Sequence, residues 1–162
     1  MNFHSTRQED LLFDAARKGD TSYLKQLIEE GADINVQDGR GFTPLILASY
    51  EGNLDATKEL IEANANVNAQ DFGGNTALMG VCFKGHAEIA SLLIENGADL
   101  DQQNGNGGTA LMFATLFGRN ALVKLMLEHG ADKTIRDKRG LIALDLALQQ
   151  GNHEAFDMLQ KE

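Results

Sequence analysis

A single cysteine, Cys82, leaves no second thiol to pair with, so an internal disulfide is excluded and a reducing compartment is the expected setting. Long apolar runs are missing too: no stretch approaches the ~20 residues that a membrane-spanning helix needs. Residues 1–10 hold no apolar run of the secretory kind, and the chain is expected to be cytoplasmic and free of membrane contact. Positive charge is scarce. The formal charge of -10 at pH 7 has the wrong sign for a surface that neutralises phosphates, which excludes a nucleic-acid partner. The imbalance is local, because residues 9–101 hold 17 carboxylates against 6 basic side chains whereas residues 102–162 hold 7 of each. Aromatic residues number eight Phe and two Tyr, so their placement carries information.

What the chain has is a period of 33 residues. Gly41, Gly74, Gly107 and Gly140 keep that spacing, as do Gly19, Gly52, Gly85, Gly118 and Gly151, and as do Thr43, Thr76 and Thr109. A fixed period of this size implies stacked supersecondary units that share burial with their neighbours. Within one unit, Asp38 to Gly41 reads as a tight turn in which Gly41 takes a positive φ. Thr43 caps the first helix, Pro44 suits its first position, and Leu45 with Ala48 forms its buried stripe. Gly52 ends that helix, and a second runs from Leu54 to Ile61. The pairs Leu27 and Ile28, Leu60 and Ile61, Leu92 or Leu93 with Ile94, and Met126 with Leu127 are expected to be deeply buried. Gly31, Asn64, Gly97 and Gly130 stand where a left-handed residue follows a helix. Small Ala48, Ala114 and Ala147 let first helices of adjacent units approach closely.

By these residues the chain resembles the ankyrin repeat family over roughly residues 9–161. The resemblance implies an all-α solenoid of five helix-turn-helix units with hairpin-like loops. After a tail at 1–8, the units are an N-terminal cap at 9–37, internal repeats at 38–70, 71–103 and 104–136, and a C-terminal cap at 137–162. Asp10 takes the place of the capping Thr in the first unit, and Ile142 does so in the last. The family's Thr-Pro-Leu-His is replaced by Thr43-Pro44-Leu45-Ile46, Thr76-Ala77-Leu78-Met79 and Thr109-Ala110-Leu111-Met112, a pattern similar to that of bacterial members. Without that histidine, stacking is expected to lean on apolar contact more than on polar links between units.

No catalytic constellation emerges. Gly105 to Gly108 follows no strand and precedes no Lys-Ser/Thr pair, so it reads as a turn and not as a phosphate cradle. Cys82 and His86 are four apart, but Gly85 ends the helix between them, and Cys82 occupies the register of Ser49 and Thr115, which makes it a packing residue. His4, His86, His129 and His153 fall in different units with no zinc-like spacing. Asp33, Asp38, Asp71, Asp99, Asp132 and Asp137 recur with the period and tie their own turns. Lys133, Arg136, Lys138 and Arg139 form a small basic knuckle interleaved with Asp132 and Asp137. No catalysis, cofactor or metal is expected.

The period does not explain a set of large side chains at positions that the resemblance places on the concave face or loop tips: Phe42, Tyr50, Phe72, Phe83, Leu116, Phe117 and Leu141. They read as anchors for a protein partner, with Arg40 and Lys84 beside them and Arg17 and Lys18 bordering the same face. Taken singly, each also fits packing against the next unit. The expected function is that of a monomeric, non-catalytic module that binds a protein of unidentified kind. Two alternatives stand beside it. In one, the acidic early repeats cover a basic enzyme or toxin, as an inhibitor or immunity-type protein would; in the other, Tyr50, Phe42 and Phe83 hold a haem-type small molecule.

Overall fold

The computed structural model describes residues 3–161; residues 1, 2 and 162, and the side chains of residues 3–6 with His4 among them, lie outside that description. Among the described residues there are ten helices and no strand: α1 (Phe3–Lys18), α2 (Thr21–Glu29), α3 (Pro44–Tyr50), α4 (Leu54–Glu62), α5 (Ala77–Lys84), α6 (Ala87–Glu95), α7 (Ala110–Leu116), α8 (Asn120–Glu128), α9 (Ala143–Gln150) and α10 (His153–Gln160). Odd-numbered helices pack on one another in chain order and even-numbered helices do the same, which makes two layers. Between them runs a continuous core in which Leu12, Leu24, Leu45, Leu60, Leu78, Leu93, Leu111, Leu122 and Met126 are fully buried.

Local chemistry starts and stops these helices. The hydroxyl of Thr43 accepts from the Ile46 amide at 3.2 Å, and Thr76 and Thr109 cap Met79 and Met112 in the same way. All three threonines are buried, so the cap also satisfies an oxygen that water cannot reach. Ile142 has no oxygen to offer; there the Ile142 amide donates instead to the Asp145 carboxylate at 2.9 Å. In each hairpin an Asp or Asn holds the turn: Asp38 Oδ1 accepts from the amides of Arg40 and Phe42, and Asp71, Asn104 and Asp137 repeat the arrangement. Gly74 and Gly107 are left-handed, and a Cβ there would lie 2.8 and 2.9 Å from a backbone nitrogen of the next hairpin. That approach lets the hairpins join directly, Gly105 donating to the Gly73 carbonyl and Lys138 to that of Asn106.

Three expectations are corrected. Asp10 does not begin a helix, because α1 already starts at Phe3, within the stretch expected to be a tail. No glycine or proline interrupts residues 3–18, so nothing stops the helix from extending N-terminally. Of each apolar pair in the second helices only one member is fully buried: Leu27, Leu60, Leu93 and Met126 face the core, while Ile28, Ile61, Ile94 and Leu127, about 100° further round the helix, are half-buried.

The third correction concerns stacking. Polar links between units accompany the apolar contacts throughout; three series of them run along the chain. Gln37, Gln70 and Gln103 each donate to a carbonyl in their own hairpin and to one in the next unit, on Gln70, Gln103 and Arg136 respectively. Asn53, His86, Arg119 and Asn152 reach back to the carbonyls of Arg17, Tyr50, Phe83 and Thr115 at the end of the preceding first helix. Asn35, Asn68 and Asp101 accept from the amides of Asn66, Asp99 and Asp132 one unit on. The sites vacated by the family histidine, Ile46, Met79 and Met112, are buried and apolar.

Candidate functional site

The repeat turns sequence position into surface columns. Residues 33 apart occupy equivalent places, so Arg17, Tyr50, Phe83 and Leu116 form one column across α1, α3, α5 and α7, and Lys18, Glu51, Lys84 and Phe117 form the next. The aromatic members touch. Tyr50 and Phe83 stack with centroids 6.3 Å apart, Phe83 meets Phe117 edge-on at 4.6 Å, and Phe117 stacks on Phe113 at 6.4 Å. Each such contact adds about 0.5–1.5 kcal/mol beyond burial and holds the rings in place. Their outer faces still reach solvent: Tyr50 is 36% exposed and Phe117 42%. Lys84 lies with its ammonium 5.0 Å from the centre of the Tyr50 ring.

Beside this string lies an open groove of about 530 Å³. Of the residues expected at a site, Arg40, Phe42, Tyr50 and Phe83 line it, together with Arg17. Ile46, Leu47, Met79 and Phe113 line it as well and were not anticipated, although they sit one turn from the anticipated residues on the same helix faces. A smaller hollow of about 360 Å³ continues past Phe113 and takes in Leu116, Met112 and Leu146. Lys84 and Phe117 flank the groove through their contacts with Tyr50 and Phe83. Two expected residues lie away from it. Phe72 is at a loop tip, 70% exposed, with its ring against Gly41, and Leu141 is half-buried against the core.

The charged groups sort by whether they already have partners. Asp38 and Asp71 line the groove, but Oδ1 of each is taken by two backbone amides. Lys18 pairs with Asp14. The basic knuckle is largely engaged: Lys133 donates to the Leu159 and Lys161 carbonyls, Arg136 to that of Gly140, and Arg139 grips the Asp137 carboxylate. For Asp137, burial pushes the carboxyl up, but hydrogen bonds from the Leu141 amide and from Arg139 outweigh this and leave it below the usual 3.8. The guanidinium groups of Arg17 and Arg40, in contrast, make no hydrogen bond or ion pair among the described residues.

Cys82 is buried and burial pushes its thiol up to about 12, so it is no nucleophile at neutral pH. The neighbouring His86 donates from Nε2 to the Tyr50 carbonyl at 3.0 Å, since a carbonyl can only accept; it belongs to the stacking series. Among the described residues no three His, Cys, Asp or Glu side chains come together as metal ligands, and no helix is long and apolar enough to cross a membrane.

A family model described as ankyrin repeats (3 copies) matches residues 12–104 and again residues 81–162. The chain belongs to the ankyrin repeat family. Together the two matches span the helical array from α1 to the last turn, and the helix-turn-helix solenoid agrees with them. Comparison with curated proteins finds no match. Ankyrin repeats are generally protein-protein interaction modules and typically non-catalytic scaffolds, so the groove on the first-helix layer is the natural place to look for a binding surface in this member.

Proposed function

We propose that this ankyrin repeat protein is a non-catalytic docking module that holds a protein partner against the groove and aromatic string of its first-helix layer. The observation that carries the reading is the contact chain Tyr50–Phe83–Phe117, whose rings are fixed by one another yet remain partly exposed. A surface set in advance loses little ordering entropy when a partner arrives. Arg40, Phe42, Lys84 and Leu116 extend the contact area; Phe72 and Leu141 would serve at its loop edge. The module works as a monomer without a cofactor, and the free, buried thiol of Cys82 suits a reducing cytoplasm.

Capture of a partner from the native host, by the wild type and by a Tyr50→Ala/Phe83→Ala/Phe117→Ala variant, tests this reading. Central interface aromatics are each worth about 2 kcal/mol or more, so the variant should lose the partner while keeping its helical circular dichroism. Equal capture by both folded proteins would move the site elsewhere. The inhibitor alternative draws less support from the geometry, because six of the 17 early acidic residues, Glu29, Asp55, Glu59, Glu62, Glu88 and Glu95, belong to the even-numbered helices behind the groove, while Asp38 and Asp71 on the groove side hold their own turns.

A further inference from the structure

We infer that Gly80 is the specificity-determining residue of the groove, and that the segment bound there carries one bulky apolar side chain with a carboxylate a few residues away. This rests on the docking reading above and assigns its partner's chemistry. The residues in register with Gly80 are Asp14, Leu47, Phe113 and Leu146, so α5 lacks a side chain where α3, α7 and α9 carry large apolar ones. Nothing in the backbone calls for glycine: Gly80 lies inside α5 and is not among the left-handed residues. Inside a helix it costs about 1 kcal/mol relative to alanine. A Cβ there would come 3.3 Å from Tyr50 Cδ2, so the missing side chain makes room for the Tyr50 ring and hollows the groove between Leu47 and Phe113. Met79 and Phe83 complete an apolar notch of side-chain size.

Arg17 and Arg40 supply the second half of the recognition. Both line the same groove, both are exposed, and neither guanidinium has a partner among the described residues. Arg139 occupies the register of Arg40 and shows the alternative, folded back onto Asp137 at 2.8 Å. Asp38, Glu51 and Asp71 line the groove too, with Oδ1 of both aspartates held by two backbone amides, yet neither arginine pairs with any of the three, which leaves both guanidinium groups open to a ligand. Arg40 belongs to the unit before Gly80 and Arg17 to the unit before that. Neighbouring helices lie about 8–10 Å apart, and an extended chain advances about 3.3 Å per residue. The carboxylate therefore falls about three to six residues from the apolar anchor.

The test selects peptides from a displayed random 12-residue library, about the length that spans the groove at that rise, against the wild-type protein. Binders are then measured against Gly80→Ala, Gly80→Leu, an Arg17→Ala/Arg40→Ala double variant and the Tyr50/Phe83/Phe117 triple alanine variant. Gly80→Leu places there the residue found at the same register in α3 and α9; its gain in helix propensity offsets part of the cost of shifting the half-exposed Tyr50 ring, so the protein should stay folded by helical circular dichroism. The enriched peptides should share a Leu, Met, Phe or Trp with an Asp or Glu three to six positions away. Their affinity should fall at least about tenfold with Gly80→Leu, little with Gly80→Ala, and severalfold with the double variant, the last effect shrinking in salt. A consensus without an acidic residue, undiminished binding to Gly80→Leu, or a library that yields no binder would overturn the inference. Loss of binding in the triple variant with full binding to Gly80→Leu would leave the docking face standing and remove the notch alone; binding unchanged in both would remove the two together.

Discussion

Cys82 offers a quantitative probe of whether the first-helix layer is packed as described. Its side chain is fully buried on α5, between α3 and α7, and burial raises the thiol from 9.0 to about 12. Only the thiolate attacks a disulfide reagent. At pH 8 a thiol at 9.0 is about one-tenth ionised, whereas one at 12 is ionised to about one part in ten thousand. The thousandfold loss of thiolate is partly offset because a more basic thiolate is the better nucleophile, so native protein mixed with a chromogenic aromatic disulfide should react roughly 30- to 60-fold more slowly than unfolded protein before steric exclusion is counted. The residual rate should rise with denaturant in step with the loss of helical circular dichroism, because labelling then passes through opened molecules. Labelling of native protein at the denatured rate would refute the reasoning and place α5 loosely against its neighbours.

Other expectations follow from the polar series and the turns. Gln70→Ala removes a side chain that donates to Gly74 and to Gln103 in the next unit, at 2.8 and 3.3 Å. It should cost about 1 kcal/mol in urea denaturation, and no loss would mean that stacking rests on apolar contact alone. Asp137→Asn has its own control in the chain, since Asn104 holds the equivalent turn with the same two backbone amides. The Asp137 carboxyl is depressed in the folded state, so its charged form contributes stability above the unfolded value near 3.8 that fades as pH falls through the folded value. Wild type should exceed Asp137→Asn in melting temperature at pH 7, and the gap should close on acidification below pH 3.8; a gap that is constant from neutral to strongly acidic pH would contradict the assignment.

Features encoded within a few residues were legible in the sequence. The threonine caps, the Asp turns and the left-handed positions at Gly31, Asn64, Gly97 and Gly130 all depend on partners no more than five residues away, and all are present. The polar series were not legible in the same way because each joins residues about one unit apart, beyond the reach of a local motif. The signal was nonetheless available in Gln37, Gln70 and Gln103 at the repeat spacing. At the groove, Tyr50, Phe83 and Phe117 could be picked out as large residues in unexpected places. Gly80 could not be found that way, since it marks the site by what it lacks. It becomes visible only when the register of Leu47, Phe113 and Leu146 is compared column by column.

Hydrogen-deuterium exchange on the protein with and without its captured partner tests the docking surface most directly. Protection should concentrate in α3, α5, α7 and the hairpins at residues 38–42 and 71–75, with the even-numbered helices unchanged. Protection confined to α4, α6 and α8 would place the partner on the acidic outer layer and contradict the central claim.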